Sequence, residues 1–444
     1  MSDLLSIGAS GIRANQTALG VVSENIANAG VAGFSRRSIT TSEIVSISGK
    51  TGVTGHGVFV TGVTRAADQF KAAAVRTAGA DLARTEAGGV WLGRVQSALT
   101  GAGLGNRLTA FFNAAKGVAA DPTATAPRAA MIEQANALAA SFSATGAALA
   151  QATAELDATA DQAVADLNSL SAALAKVNDG LGRVGPNTAG AANLADQRDA
   201  ILERMSALVD VSASYDAAGR ATVRAGAGTG TMLVSGNQVA TVSYARNAEG
   251  AVAIAVKNGS DVSMLVPGGG AIGGIVDGAQ RIAAARSELN ELAKDFVTGV
   301  NAVQTGGQTL DGTAGAPLFA AGSTPTDIKV AMTDPRGIAA ASAGEGTRGN
   351  GNLLALEGLR GRAGFETTVS AMVSGNAAAI QARGVVGEAQ AAIHDAAIAA
   401  RDTLSGVDLD REAVDLLRFQ QAYQASSRVI SIARDTFQTL LDIR

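Results

Sequence analysis

The residues best able to do chemistry in this sequence are a glycine-rich loop and two nearby acids. Gly268–Gly273 has the spacing GxGxxG, which binds the pyrophosphate of a dinucleotide when it links a strand to a helix. A strand-like run precedes it, and Glu288 and Glu291 lie near the spacing of a ribose-binding acid. No strand follows the helix promptly, however, and a chain with 54 glycines is expected to contain such a match by chance. We therefore interpret the loop as a simple turn and keep a nucleotide-dependent oxidoreductase as an alternative.

Other catalytic groups are sparse. The chain has two histidines, His56 and His394. It has no cysteine, and this absence excludes disulfides, thiolate catalysis and cysteine-based metal sites. His394 precedes Asp395, but neighbouring residues on a helix point about 100° apart, so we predict two surface histidines. The run Asp196–Asp199 is predicted to open a helix, where acids favour the helix dipole. We therefore predict no catalytic, cofactor or metal site and no enzyme activity.

The composition favours long helices and excludes several partner classes. Of the 444 residues, 47% are apolar but only 3% are aromatic, so alanine supplies much of the apolar surface and allows helices to pack closely. A net charge of −4 argues against binding nucleic acid or an anionic membrane. No run of 18 apolar residues is present, so we expect no membrane insertion. The N-terminus lacks the pattern of a cleaved signal peptide.

Periodicity divides the chain into helical and β-like segments. Helices are predicted over 1–30, 66–208, 268–303, 352–404 and 408–443, β structure over 35–64 and 211–266, and a loop over 305–326. The helical stretch 66–208 contains breakers at Gly101–Gly105, Pro122–Pro127 and Gly180–Pro186. Within it, 149–181 carries two rows of apolar residues repeating every seven positions, which predicts a helix roughly 50 Å long with helical partners.

These segments predict an α+β fold that is mainly α, with terminal coiled-coil helices, a bundle of long helices and an inserted β-rich domain. The predicted domains are a terminal coiled-coil assembly domain at 1–34 and 406–444, a helical-bundle domain at 35–210 and 271–405 with a β-hairpin region at 35–65, and a β-rich outer domain at 211–270.

The two chain ends carry narrow 3-4 spaced seams, which favour pairing with other helices over packing on a broad globular core. The predicted assembly residues are Leu5, Ile12, Leu19, Val22, Ile26, Leu409, Leu416, Phe419, Tyr423, Ile430, Phe437 and Leu440. Burying the five N-terminal ones would yield about 10 kcal/mol. Ordering about 25 residues costs roughly 1–2 kcal/mol each. We therefore hypothesise that the ends are loose in the monomer and fold as subunits assemble.

Sequence motifs at both ends resemble those of a known group of proteins. Ser23–Asn28 (SENIAN) and Gly33–Arg36 (GFSR) are similar to the N-terminal signature of bacterial flagellar rod, hook and hook-associated proteins. Ser405–Glu412 (SGVDLDRE) and Phe419–Ser426 (FQQAYQAS) resemble the C-terminal signature of the same axial group. Rod, hook and hook-associated proteins share these terminal motifs. The motifs therefore indicate the axial group, but they do not distinguish one protein of the group from another.

Three further stretches point within that group to the hook-associated protein 1 (FlgK) family of hook–filament junction proteins. They are Gly57–Val60 with the following GV and Arg65, Asn193–Asp199, and Gly273–Ile275. The sequence departs from many relatives at Glu24, where they carry Asn, and at Phe34, where they carry Tyr.

The resemblance implies a non-enzymatic structural subunit of the bacterial flagellum, outside the cell. Such a subunit is exported unfolded through the flagellar type III channel without signal cleavage and joins hook to filament by helix-mediated polymerisation. The implied partners are a ring of identical subunits, the hook protein, the next junction protein, an export chaperone and the export apparatus. The alternatives are another axial protein of the hook or distal rod, the oxidoreductase above, and a cytoplasmic coiled-coil scaffold.

Overall fold

A computed structural model describes residues 2–31, 33–47, 53–226, 230–247 and 251–442. The helices in these ranges are α1 (Ser2–Ala27), α2 (Gln69–Gly101), α3 (Leu104–Ala120), α4 (Thr125–Arg183), α5 (Ala189–Leu208), α6 (Gly270–Gly306), α7 (Gly351–Ala363), α8 (Phe365–Ser405) and α9 (Leu409–Asp442). Within the same ranges, none of these helices has a stretch apolar and long enough to cross a bilayer.

The strands are short, and every pairing between them is antiparallel. They are β1 (Arg37–Ile47), β2 (Val53–Arg65), β3 (Val211–Tyr215), β4 (Ala221–Ala225), β5 (Met232–Ser235), β6 (Gln238–Val239), β7 (Thr241–Arg246), β8 (Val252–Asn258), β9 (Asp261–Leu265), β10 (Gly307–Gln308), β11 (Phe319–Ala321), β12 (Ile328–Val330) and β13 (Ala341–Ser342). This confirms the predicted α+β fold that is mainly α.

The helix boundaries follow local chemistry. Asp68 caps α2, because its carboxylate accepts hydrogen bonds from the backbone N–H groups of Phe70 and Lys71. α2 gives way to α3 at Gly103, and α7 to α8 at Gly364, each with φ of +60°, a conformation that glycine adopts without strain. The three breaker regions predicted within 66–208 separate α2, α3, α4 and α5.

The longest helix, α4, has 59 residues and therefore extends about 90 Å. Both predicted heptad rows face the interior. Their buried members are Leu149, Leu156, Ala160, Ala163, Leu167, Leu170, Leu174, Val177 and Leu181. α4 packs against α2, α3, α5 and α6, so the helical partners predicted for this seam are present within the chain.

One end of the bundle holds most of the phenylalanine side chains. Six of the 11 phenylalanines meet there with ring centroids 5.3 to 6.3 Å apart. They are Phe111, Phe112, Phe142, Phe296, Phe319 and Phe365. This cluster joins α3, α4, α6, α8 and β11, and so fixes the end of the bundle away from the chain termini.

Elsewhere in the bundle, glycines bring helices into close contact. A Cβ on Gly274 of α6 would lie 2.5 Å from the carbonyl oxygen of Arg84 on α2, and one on Gly278 would lie 2.4 Å from the ring of Trp91. Neither position accommodates a side chain at this separation, so the α2–α6 crossing depends on both glycines.

The β-rich insertion forms a four-stranded sheet, β3-β4-β5-β6, and a three-stranded sheet, β7-β8-β9. Polar residues of α4 attach both. Asn178 donates to the carbonyls of Ala221 and Gly236 at 2.8 and 2.9 Å, and Asn168 exchanges two hydrogen bonds of 2.9 Å with the backbone of Val242. The insertion is therefore docked on the C-terminal half of α4.

Two local predictions differ from the structure. The stretch 305–326 was expected to be a loop, yet β10 and β11 lie in it; strands of two or three residues leave too short a pattern to be detected. The helix expected to open at Asp196 begins instead at Ala189, where the Thr188 hydroxyl accepts from Ala191 N. Asp196 therefore lies inside α5 and not at its N-terminus.

Candidate assembly interface

The two chain ends pack on each other as the helix pair α1–α9. Glycines on α1 permit the close approach. A Cβ on Gly8 would lie 2.6 Å from Cγ1 of Ile430, and one on Gly11 would lie 2.7 Å from Oγ of Ser426. The seam of α9 therefore contacts the small-residue side of α1.

On α1, the packed face is rotated from the predicted seam. Val22 is buried and Ile12 and Leu19 are half-buried, whereas Leu5 and Ile26 are 40% and 37% exposed. Besides Val22, the buried apolar side chains between Leu5 and Ile26 are Ala14, Ala18 and Val21. Small residues allow the backbones to approach, and the larger predicted residues are left at the edge of the contact, where another surface can reach them.

On α9, the predicted seam faces α1 along its middle. Leu416, Phe419, Tyr423 and Ile430 are half-buried. The two ends of the seam are open to solvent: Leu409 is 54% and Phe437 is 53% exposed, and the side chain of Leu440 lies outside the described part of the structure. A single chain therefore covers only part of the predicted assembly residues.

A buried polar cluster ties this helix pair to the hairpin β1–β2. Asn25 on α1 accepts a hydrogen bond from Arg37 N at 2.9 Å and donates to the Arg37 carbonyl at 2.8 Å. Its amide also donates to Oε2 of Glu412 on α9 at 3.0 Å. Glu412, which is fully buried, accepts from Nε of Arg36 at 2.6 Å. Because Asn25 and Glu412 are hydrogen-bonded to each other and to the two arginines that open the hairpin, the cluster fixes where the chain ends meet.

The side chain of Arg37 connects this cluster to α5. It is 1% exposed and donates to Glu24 at 2.5 Å, to Asn193 at 2.6 Å and to Asp196 at 3.0 Å. Its guanidinium also lies 4.8 Å from the ring centre of Phe34, a cation–π distance. Glu24 and Phe34 thus both contact Arg37.

A second arginine parallels the first. Arg65, at the end of β2, pairs with Asp196 and Asp199 of α5, each at 2.8 Å. Asp199 also pairs with Arg198, whose guanidinium lies 4.2 Å from the ring centre of Tyr215 at the start of the β-rich insertion. The carboxylates of α5 are therefore surrounded by arginines on the hairpin and on α5 itself.

These residues lie in separate sequence motifs, and their meeting was not predicted from the sequence. The run at Asp196–Asp199 was interpreted only as favouring a helix dipole, whereas its acids bind two arginines from another element. The available signal was charge: the hairpin brings Arg36, Arg37 and Arg65 into a region with no acid beside them in sequence. Their carboxylate partners had to come from elsewhere in the chain.

The glycine-rich loop does not present an open anion site. The backbone N–H groups of Gly268 and Gly269 donate to Oδ1 of Asp210 at 3.0 and 3.1 Å. A carboxylate of the chain itself thus occupies the place at the start of α6 where a phosphate would bind. Gly270, with φ of +74°, packs against the backbone of Leu208. This geometry supports the interpretation as a strand-to-helix turn.

The remaining titratable candidates lie apart from this cluster. His56 on β2 and His394 on α8 are both half-buried, less exposed than predicted. Among the described residues, acidic and histidine side chains do not form a group of three that could hold a metal ion. The described residues therefore form ion pairs that join helices to each other, and the terminal helices carry exposed apolar residues outside this cluster.

Comparison with known proteins agrees with this geometry. Residues 92–319 match the family model of the flagellar hook-associated protein FlgK helical domain, and 403–443 match that of the flagellar basal body rod FlgEFG protein C-terminal region. A FlgK hook junction protein structure from Burkholderia pseudomallei is similar over 56% of this chain and 46% of that one, with a TM-score of 0.50 and 22% identity. That likeness supports the fold.

Three flagellar hook-associated proteins 1 are similar in sequence. That of Salmonella typhimurium is 29% identical over 342 residues, covering 73% of this chain and 60% of the relative. That of Escherichia coli is 27% identical over 334 residues, covering 72% and 60%. That of Bacillus subtilis is 24% identical over 487 residues, covering 97% and 96%. The chain thus spans about 60% of the length of its enterobacterial relatives. Because the FlgK helical-domain match alone covers just over half of the chain, this protein belongs to the FlgK family of flagellar hook-associated proteins.

Proposed function

We propose that this protein is a structural axial subunit of the bacterial flagellum that joins hook to filament by helix-mediated polymerisation. It acts mechanically, outside the cell, and catalyses no reaction. The observation that carries the proposal is the ion-paired joint at Glu412, Arg37 and Asp196, which couples a partly covered terminal helix pair to a long helical body. A force on the terminal helices is transmitted through this joint to the bundle.

The incomplete cover of the terminal helices supports self-assembly. Leu5, Ile26, Leu409 and Phe437 are each more than a third exposed, although they belong to the seams that a coiled coil buries. Neighbouring identical subunits in a ring would supply the missing surface. In this proposal, the twelve predicted assembly residues line subunit contacts, and 1–34 with 406–444 form the assembly domain.

The same proposal assigns the other partners. One end of the ring meets the hook protein and the other the next junction protein. Before assembly, an export chaperone shields the apolar residues of the C-terminal helix, since an amphipathic helix needs a groove or a partner. The unfolded chain leaves through the export apparatus without a cleaved signal. Family membership favours the junction over the hook or distal rod, because the helical-domain match is to FlgK.

Replacing Leu416 and Phe419 with Asp tests the seam. Both are half-buried on the face of α9 that contacts α1, so two carboxylates there are expected to prevent incorporation into flagella while the helical bundle stays folded. Leu354→Asp is the control, because Leu354 is 61% exposed on α7, away from the terminal helices. Immunolabelling of isolated flagella should place the unmodified protein at the hook–filament joint. Labelling along the hook, or motile flagella built with the double variant, would contradict the proposal.

A further inference from the structure

The strand β9 forms one edge of the three-stranded sheet β7-β8-β9. A two-residue turn joins it to β8, with Asn258 paired to Asp261 across the turn. In such a hairpin every second pair exchanges hydrogen bonds, starting at the turn, so Val262 and Met264 direct their backbone N–H and carbonyl groups away from β8. Among the described residues, no group accepts from or donates to this outer side of the strand.

The side chains along this open edge are apolar. Val262, Met264 and Val266 lie at alternate positions and are 64%, 60% and 87% exposed, whereas Leu265 is buried. Because alternate residues of a strand share one face, the three exposed side chains form a row beside the unpaired backbone. Proteins usually cover or charge such an edge, since it pairs readily with another strand.

The opposite edge of the same sheet is closed. Asn168 on α4 exchanges two hydrogen bonds with the backbone of Val242 on β7 and so takes the place of a further strand. The hairpin β1–β2 has the same asymmetry. Val63 N on β2 donates to the carbonyl of Asn187 at 2.7 Å, whereas β1 pairs with β2 and with no other described strand. Each sheet therefore has one edge that the rest of the chain contacts and one that it leaves open.

The two open edges carry opposite charges. Lys257 on β8 is paired in register with Val262 and is exposed, as is Glu43 on β1. Within the described ranges, neither side chain has an ion-pair partner. A strand beside β9 would lie about 10 Å from β8, two strand spacings, which a lysine and a glutamate span together. Ile44, next to Glu43, is 38% exposed and supplies an apolar side chain to meet the row on β9.

We propose that strand β1 of one copy of this chain pairs with strand β9 of a second copy. The pairing joins the two strands of the hairpin to the three of the other sheet, so that one sheet crosses the boundary between subunits. Backbone hydrogen bonds supply the affinity, and the Glu43–Lys257 pair with the apolar side chains selects the partner strand.

The contact forms between copies, because each hairpin is held on the first helix of its own chain. Val58 N on β2 donates to Oγ of Ser10 on α1 at 3.1 Å, and within one chain β1 and β9 belong to separate sheets. Since β1 and β9 are different surfaces, a subunit can offer one to each neighbour, and the contact can repeat around a ring. The inference rests on the proposed self-assembly and adds a strand contact to that of the terminal helices.

Cysteine cross-linking tests the contact directly, since the chain has no cysteine of its own. Ser42→Cys marks β1 and Ser263→Cys marks β9, both at exposed positions. The two full-length variants, one of them enlarged by a tag, are mixed, treated with a short bismaleimide and separated by electrophoresis. Ser287→Cys on the exposed side of α6 replaces Ser263→Cys in the control mixture.

We expect the β1–β9 mixture to give about tenfold more mixed dimer than the control, the ratio that about 1.4 kcal/mol of binding free energy produces. Lys257→Glu in the β9 chain should lower this excess about threefold, as for an exposed ion pair. Adding Glu43→Lys to the β1 chain should restore it, which no loss of folding can do. Lys294→Glu, an exposed change on α6, should leave the yield unchanged.

Met264→Pro distinguishes strand pairing from a contact of side chains alone. Proline removes the N–H that Met264 directs away from β8, and an edge strand tolerates proline on that side. We expect the yield to fall to that of the control mixture, while circular dichroism and thermal unfolding stay as in the parent.

Equal yields from the β1–β9 and control mixtures would overturn this contact. A charge exchange that fails to restore cross-linking, or an unchanged yield with Met264→Pro, would do the same. Immunolabelling of the unmodified protein in flagella decides the proposed function separately. A subunit placed at the joint without this cross-link would leave the proposed function standing and refute the inference, whereas cross-linking of a protein absent from the joint would do the reverse.

Discussion

Asn25 and Glu412, 387 residues apart in sequence, are joined by a hydrogen bond of 3.0 Å from Nδ2 to Oε2. Both side chains are fully buried. This bond links the first helix to the last, at the point where the hairpin β1–β2 also attaches to both. The stability of the terminal helix pair should therefore depend on a small number of polar groups.

Removing the amide tests that dependence. Asn25→Ala leaves the backbone N–H and carbonyl of Arg37 without their partners and Glu412 with one donor fewer. Unpartnered buried groups of this kind cost about 1–3 kcal/mol. We expect the terminal helices to unfold at lower denaturant concentration, followed by circular dichroism. Asn15→Ala, a half-buried position on the same helix, should change little; equal effects of the two variants would contradict the role given to Asn25.

Two glycines of α1 should respond in opposite directions to the same substitution. Gly8→Ala places a Cβ 2.6 Å from Ile430, so α1 and α9 must separate and the pair should lose stability, by about 1–3 kcal/mol for an overpacked contact. Gly20→Ala meets no atom within 4 Å and should stabilise α1 by up to about 1 kcal/mol. Hydrogen exchange of α1 amides measures both. Faster exchange in both variants, or in neither, would show that the helices do not approach at Gly8.

The crossing of α2 and α6 offers a comparable test in the helical bundle. Gly274→Ala would bring a Cβ to 2.5 Å from the Arg84 carbonyl and 2.7 Å from Gly88 N, and backbone cannot move aside as a side chain can. We expect a loss of about 1–3 kcal/mol in thermal unfolding. Gly93→Ala on α2 has no atom within 4 Å of its Cβ and provides the matched control. A neutral effect at Gly274 would mean that the two helices cross at a greater distance.

The ion-paired Asp277 should make the stability of the bundle depend on pH. Burial opposes ionisation of its carboxyl, but hydrogen bonds from Arg84 at 3.0 and 3.1 Å and from Arg383 at 2.7 Å outweigh burial and lower the pKa of Asp277 below its usual 3.8. A lowered pKa stabilises the fold above the unfolded-state value, and this stabilisation is lost as pH falls through the folded-state value. Asp277→Asn should therefore be less stable than the parent at pH 7, with a difference that narrows below about pH 3.8.

Denaturant unfolding at several pH values measures this difference. Asp161→Asn, an exposed change on α4, is the control and should follow the parent throughout. A difference between Asp277→Asn and its parent that stays constant down to pH 2.5 would contradict the assignment to the carboxylate.

Limited proteolysis tests the hypothesis of loose chain ends. Of residues 431–439 on α9, Ala433 is buried and the rest are exposed, so little packing opposes local opening there. We expect a protease to cut a dilute monomer within 1–35 and 406–444 before it cuts the bundle. Mass spectrometry of early fragments locates the cuts. First cuts inside α2–α8, with intact ends, would refute the hypothesis.

The sequence was sufficient to predict most of the elements. Heptad rows from Leu149 to Leu181 and the 3-4 seam of α9 repeat over many turns, and a long repeat is specified locally because each residue adds to the same face. Glycine and proline breaks at Gly103 and Pro122 separate helices for equally local reasons. These signals gave the mainly α fold, the β-rich insertion and the two terminal helices.

The tertiary structure decided which residues meet. Nothing in the sequence near Asn25 indicates Glu412, and nothing near Arg37 indicates Asp196, since these pairs are set by how the hairpin and α5 pack. It also decided that α1 presents Gly8 and Gly11 to α9 while Leu5 and Ile26 stay at the edge. Periodicity specifies a face of a helix only to within about one residue, or 100°, whereas the closest approach of two backbones selects the smallest side chains available.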